Sequence, residues 1–364
     1  MTAQVPIAAE AETALAAPVR RSRGRGALVL RRFARNRTAL LGLVLVVLLV
    51  LFAYVVPYLV HWKYTDNDWN NLGTGPSGTH WFGTNHSGQD MFALTMRGLQ
   101  KSLVIGLIGG PLSTFVAALV GACAGYFGGW TDRVLMWVLE FMLVVPSFLI
   151  IAVLSPHFAH TTWLIFVVLL AAFQWMITAR VVRSMTMTVK DREYVLAARY
   201  MGVGSMRIIF RHVLPNLASI LIVDATVQVG TIVLSETALS YFGFGVQPPD
   251  VSLGTLIADG TPDATTFPWL FFFPALFLVL LGIAVAFIGD GLRDAFDPSA
   301  AGAKARGKAQ KKRDRASGAV AGPDAVALPG ARNADAGGGD AEVISLTTGE
   351  GPRTAPTAQE GLSS

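Results

Sequence analysis

The sequence is short of most of what a soluble enzyme is built from. Cysteine is almost absent: Cys123 is the single one in 364 residues, and it lies inside an apolar run. That excludes a disulfide scaffold and any multi-cysteine zinc site. Charge is scarce too, at 15% of residues against about 25% in a typical soluble domain. The seven lysines stand at 63, 101, 190, 304, 308, 311 and 312, and none closes a G-x-x-x-x-G-K-[ST] phosphate loop. The chain therefore carries no phosphate-loop ATPase site of its own. Residues 299–364 contain no Phe, Tyr or Trp and are rich in Ala, Gly and Pro. Such a segment cannot bury enough apolar surface to offset its chain entropy, and disorder is expected for it.

What is abundant is apolar. Hydrophobic residues make up 52% of the chain and the mean hydropathy is +0.50. A helix needs about 20 apolar residues to cross a roughly 30 Å hydrocarbon core. Six stretches approach that: Thr38 to Val60, Ser102 to Phe127, Val134 to Leu154, Trp163 to Ala179, Leu217 to Ala238, and Pro268 to Ile288. The expected fold is an all-α polytopic membrane protein with six transmembrane helices. The first span follows a long polar leader and lacks a small-residue cleavage site, so it reads as a retained anchor. The organisation follows: a basic leader over 1–37, the anchor over 38–60, an extracytoplasmic loop over 61–101, a core over 102–298 and a tail over 299–364.

Basic residues set the orientation. Residues 1–37 hold eight Arg, the loop 180–216 holds seven Lys and Arg, and the tail after the last span holds ten, whereas 61–101 hold three and 239–267 none. Both termini are therefore expected in the cytoplasm. The net charge of +5 is mostly this topology signal, and no nucleic-acid partner is needed to explain it. Lys304 to Arg315 carry seven basic residues, which suits anionic lipid headgroups.

The most informative segment is WMITARVVRSMTMTVKDREYVLAARYMGVGSMRIIFRHVLPN, from Trp175 to Asn216. Tyr194, Val195, Ala198 and Met201 recur at helical spacing as one apolar stripe. Gly202 and Gly204 interrupt it, since glycine disfavours helix and permits positive φ. A second stripe follows at Met206, Ile209, Phe210 and Val213, with Leu214-Pro215 expected to end it. The small Ala197 and Ala198 would let another surface approach the first helix closely. The pattern fits equally an amphipathic hairpin lying on lipid and one docked on a protein.

Three acids fall at membrane depth: Glu140, Asp224 and Glu236. Such carboxylates are costly and face a cavity, a partner or water. Solute or proton contact along a translocation path and hydrogen bonding between helices are the two readings. His80, His86 and Asp90 lack the i, i+4 spacing of a helical metal pair, and no metal site is assigned. The glycines at 106, 109, 110, 121 and 125 in the second span suit close helix packing, and Pro146 and Pro274 are candidate kinks.

The loop resembles the cytoplasmic signature loop of binding-protein-dependent ABC importers, E-Y/F-V-E-A-A-x-x-x-G-(x)9-H-x-L-P-N. Glu193, Tyr194, Val195, Ala197, Ala198, Gly202, His212, Leu214, Pro215 and Asn216 match. Leu196 stands where the pattern has a glutamate. Residues 80–103 resemble the H-P-L-G-T-D-x-x-G-R-D block of peptide permeases, 235–249 (SETALSYFGFGVQPP) resemble E-A-x-L-S-F-L-G-L-G-V-x-P-P, and 288–298 (IGDGLRDAFDP) resemble L-G-D-x-L-R-D-x-L-D-P.

These blocks resemble the C-type permease subunit of dipeptide, oligopeptide and nickel importers. The resemblance implies a non-catalytic half of a translocation pathway in a bacterial cytoplasmic membrane, moving peptides, with nickel or another small solute as the alternative. It implies a homologous second permease, two ATP-binding subunits that hold ATP and Mg, and an extracytoplasmic peptide-binding protein. This chain would bind no cofactor. Glu193, Tyr194, Val195, Ala197, Ala198, Arg199, Met201 and Gly202 would form the coupling helix docked on the ATPase. A proton-coupled secondary transporter and a membrane scaffold are the rival classes.

Overall fold

The structure of the protein is a computed structural model describing residues 25–158 and 163–297. The expected tail disorder and most of the leader lie outside those residues. Among the described residues no β-strand forms; two isolated bridges, Asn67 with Gln89 and Thr84 with Asp90, brace the first long loop.

The helices are α1 (Arg25–Phe33), α2 (Arg37–Tyr54), α3 (Met91–Phe127), α4 (Gly129–Val144), α5 (Ser147–Leu154), α6 (Trp163–Gln174), α7 (Met176–Val189), α8 (Glu193–Tyr200), α9 (Ser205–Tyr241), α10 (Leu253–Gly260) and α11 (Pro268–Phe296). Four helices, α2 with its following turn, α3, α9 and α11, are long and apolar enough to cross a membrane. The pairs α4/α5 and α6/α7 bend by 78° and 49°, and counting each pair as one span gives six.

Several boundaries differ from the sequence reading. The second span starts at Met91, not Ser102, because Asp90 caps α3 by accepting from the Ala93 N–H at 2.8 Å. Arg97, Gln100 and Lys101 looked like loop residues, yet each is paired inside the fold. Arg97 and Lys101 reach Asp250 at 3.0 and 2.8 Å, and Gln100 Nε2 donates to the Ala53 carbonyl at 2.6 Å. α2 itself ends at Tyr54, and a short 3-10 turn over Val56–Tyr58, with Pro57 inside it, carries the first span on to Tyr58. The end of the leader is helical as α1.

The third span breaks where Val145, before Pro146, is held extended (φ −78°, ψ 127°), the restriction proline places on its predecessor. The opposite happens at Pro215, which the sequence reading took as a helix end. Leu214 keeps helical angles (φ −58°, ψ −41°) and α9 runs through. A π turn over Ile209–Val213, with the Leu214 N–H reaching the Ile209 carbonyl, opens the helix just ahead of the ring, where a regular turn would clash.

α3 is the central helix. Its glycines let two neighbours approach to backbone contact. A Cβ at Gly110 would lie 2.7 Å from the Val229 nitrogen in α9, and one at Gly121 or Gly125 would lie 2.5 or 2.6 Å from the Ala179 or Arg183 carbonyl oxygen in α7. Outer faces such as Leu41, Val44 and Leu48 of α2 stay exposed, as suits helices facing lipid. α10 was not anticipated. Its sequence signal is a capping box, Ser252 with Thr255, ahead of Leu253, Leu256 and Ile257.

Candidate functional site

The cytoplasmic-loop candidate is a compact hairpin rather than a 180–216 loop. α7 continues to Val189 and α9 begins at Ser205, so only 190–204 connect the two spans, with α8 between them. Gly202 makes the turn at φ 79°, where an L side chain is strained. Asn216 Nδ2 donates to the Tyr194 hydroxyl at 2.6 Å, tying the start of α8 to α9.

The expected apolar stripe is split between two faces. Val195 (1% exposed) and Ala198 (2%) are buried in one core with Ala122 of α3, Val182 and Val189 of α7, and Ile208, Ile209, Val213 and Leu217 of α9. They cannot touch another protein without unfolding the hairpin. Arg199 is exposed and borders a cleft of about 360 Å³ with Tyr126, Lys190 and Ser205. The outward edge is Glu193, Tyr194, Ala197, Tyr200, Met201 and Gly202, all exposed. Tyr200 at 87% and Met201 at 75% are its largest apolar groups, and Tyr200 was not singled out from sequence. The second stripe is split as well: Ile209 and Val213 are buried, together with Ile208 outside the stripe, while Met206 and Phe210 stay exposed.

The three membrane carboxylates lie in different settings. Glu236 is fully buried. It accepts from the Ser240 hydroxyl at 2.6 Å and the Ser102 hydroxyl at 3.5 Å. The Ser102 oxygen in turn accepts from the Leu253 N–H at 3.3 Å, and Ser252 reaches Ser240 at 3.4 Å. The glutamate therefore pins α3, α9 and the start of α10 together. Asp224 is half-buried and has both oxygens occupied, by Thr114 of α3 at 2.6 Å and Thr178 of α7 at 2.8 Å. Glu140 is exposed, its side chain 62% open, with Arg180 at 3.7 Å. The hydroxyl partners were missed in the sequence because serine and threonine are unremarkable there; the available signal was a polar face of α9 at Asp224, Gln228 and Ser235, four and then seven residues apart, which needs partners on its neighbours.

The histidines of the first long loop do not converge. His80 is buried between Asp90 (2.8 Å from Nδ1) and Asp68 (3.3 Å from Nε2), whereas His86 pairs with Asp263 at 2.8 Å. At the far end of the loops, Asp250 faces Lys101 and Arg97. Burial pushes its carboxyl up, but the Lys101 and Arg97 hydrogen bonds and charges outweigh that and hold it below the ordinary value.

A bundle of up to six membrane-crossing helices, with a hairpin packed against its core between two of them, defines a multi-pass helical membrane component. The model for binding-protein-dependent transport system inner membrane components matches residues 117–302, and that for the N-terminal membrane domain of oligopeptide transport permease C matches 24–76. The oligopeptide transport system permease protein OppC of Mycobacterium tuberculosis strain H37Rv is 55% identical over 276 residues, 76% of this chain and 95% of that protein. OppC of Haemophilus influenzae is 38% identical over 270 residues, 74% of this chain and 86% of that protein. A putative peptide permease of Brucella suis is 39% identical over 271 residues, 74% and 89%. A chain of the inward-facing MetNI methionine ABC transporter aligns over 57% of this chain and 98% of its own at 19% identity, with a TM-score of 0.44. The chain belongs to the family of binding-protein-dependent transport system inner membrane components and is a multi-pass inner-membrane protein.

Proposed function

We propose that the chain is a non-catalytic membrane subunit of an ATP-driven importer that moves oligopeptides into the cell. In this reading it pairs with a homologous permease and two ATP-binding subunits, and receives solute from an extracytoplasmic peptide-binding protein. ATP and Mg sit on the ATP-binding subunits. Both termini lie in the cytoplasm, on the side where the basic residues concentrate. The peptide assignment rests on what the relatives in three bacterial genera are named for.

The observation that carries the mechanism is the two-faced hairpin. Its inner face, Val195 and Ala198, is fused into the core of α3, α7 and α9, while its outer edge presents Tyr194, Ala197, Tyr200 and Met201. A push on the outer edge is therefore delivered to membrane helices rather than absorbed in a loop. The exposed edge mixes the apolar surface of Tyr194, Ala197, Tyr200 and Met201 with the charges of Glu193 and Arg199, and Leu196, in place of the pattern's glutamate, is half-buried beside it. Asp224 and Glu236, whose oxygens are hydroxyl-bonded, hold helices together; Glu140, open on the surface, is the carboxylate placed to meet solute or partner.

The test is uptake by the complete assembly reconstituted in vesicles. Accumulation of a labelled oligopeptide that requires ATP and the binding protein, and that is insensitive to collapse of the proton gradient, is the expected result. Uptake driven by the proton gradient without ATP would overturn the reading.

A further inference from the structure

The bend between α6 and α7 falls where the sequence offers no helix-breaking residue. The third span breaks at a proline, but residues 163–189 contain neither proline nor glycine. The 49° bend is instead held by side chains that take the backbone carbonyls at the break. Trp175 Nε1 donates to the Ala172 carbonyl at 2.8 Å, and Gln228 Nε2 of α9 donates to the Gln174 carbonyl at 2.8 Å. Insertion of side chains into the i→i−4 ladder is an established cause of helix kinks.

α9 grips both halves of the broken span. Gln174 Nε2, on α6, donates to the Ser235 hydroxyl at 2.9 Å. Thr178, on α7, donates to Asp224 at 2.8 Å, and Thr114 of α3 donates to the same carboxylate at 2.6 Å. Gln228 and Thr178 are both buried. Asp224, Gln228 and Ser235 fall four and seven residues apart, on one face of α9.

We propose that Gln228 and Asp224 are positioning residues for transport, forming a latch that sets the angle of the fourth span and switches between two bonded states. In the bent state the Gln174 carbonyl takes the Gln228 amide. In a straight state it takes the backbone N–H of Thr178, four residues on, and Gln228 lets go. A carbonyl left without either donor is costly inside a membrane, so intermediate angles are disfavoured and the element has two discrete positions. α7 leads directly into the hairpin, so the choice of state fixes where α8 sits. This deepens the proposed coupling role and rests on it.

The test uses the complete assembly with Cys123→Ser, and spin labels at Leu164→Cys on α6 and Met187→Cys on α7, both exposed. Straightening a 49° bend lengthens that separation by about 3 Å at 1.5 Å rise per residue. The expected result is a short distance without nucleotide, a longer one with ATP trapped, and the longer one already without nucleotide in Gln228→Leu. Thr178→Val should raise ATP hydrolysis in the absence of binding protein by about two- to thirtyfold, the range by which changes along a two-state element alter coupling. Thr178→Ser, which keeps the hydroxyl, should restore the unmodified rate. If Gln228→Leu does not assemble, the Thr178 pair carries the test alone. One distance in both nucleotide states, or Thr178→Val with unchanged basal hydrolysis, would overturn the latch. Failure of the docking role is separable: the distance would still lengthen in Gln228→Leu, but a crosslinker at Met201→Cys would capture no ATPase.

Discussion

Replacing Gly121 with alanine adds one methyl at the tightest point between α3 and α7. Its Cβ would stand 2.5 Å from the Ala179 carbonyl oxygen, 2.7 Å from Val182 Cβ and 3.0 Å from the Arg183 nitrogen. All three are backbone or β-carbon atoms, so no rotamer change relieves the contact and the helices must part. Carbon atoms sit comfortably at about 3.5–4.0 Å, so the separation needed approaches 1 Å. Overpacking of that kind costs about 1–3 kcal/mol. Alanine also gains up to about 1 kcal/mol of helix propensity over glycine, and that term must be removed. Gly282, in α11, supplies the control, because a Cβ there meets nothing within 4 Å. The stability difference between Gly121→Ala and Gly282→Ala isolates the clash. Equilibrium unfolding of the purified protein in mixed micelles with rising SDS, followed by tryptophan fluorescence, reads that difference. Gly121→Ala as stable as Gly282→Ala would show that α3 and α7 do not pack on their glycine faces.

Other consequences concern the polar sites and the hairpin turn. Glu236→Gln should be close to neutral in the same assay, whereas Glu236→Leu strands the Ser102 and Ser240 hydroxyls and should cost about 1–3 kcal/mol. Asp250, whose folded-state pKa lies below the ordinary 3.8, contributes stability that is full above the unfolded value. That contribution is lost as pH falls through the folded value, so melting temperature should drop on acidification below about pH 4 and drop less in Asp250→Asn. Gly202→Val forces a β-branched residue to φ 79°, a strain of about 1–2 kcal/mol. It should leave membrane abundance intact while lowering peptide taken up per ATP. Gly204→Ala, at φ −61° with open space around it, should change neither.

Much of this was legible in the residues, because hydropathy and glycine spacing report local physics. The six apolar stretches, the break at Pro146 and the positive-φ turn at Gly202 follow from properties of a few neighbours. What the sequence hid was long-range pairing. Arg97 and Lys101 read as loop residues, because Asp250, the carboxylate that pairs with both of them within α3, lies some 150 positions away. Pro215 read as a helix end because a π turn that opens ahead of it leaves no compositional mark. Tyr194, Val195, Ala198 and Met201 share a helical stripe, yet only the core of α3, α7 and α9 decides which of them stays available to a partner. The bend at Trp175 carries no proline or glycine to mark it, and one of the two side chains bonded to its carbonyls, Gln228, comes from another helix.

The claim at the centre is that the outer edge of α8 receives force from a nucleotide-hydrolysing neighbour. The most direct measurement is site-specific crosslinking in the intact assembly with Cys123→Ser, comparing Met201→Cys, 75% exposed, with Val195→Cys, 1% exposed. The account expects Met201→Cys to join the ATP-binding subunit with a yield that changes when ATP is trapped, and Val195→Cys to remain unreacted. A Met201 label that reaches no ATP-binding subunit and is quenched from the lipid phase would contradict it.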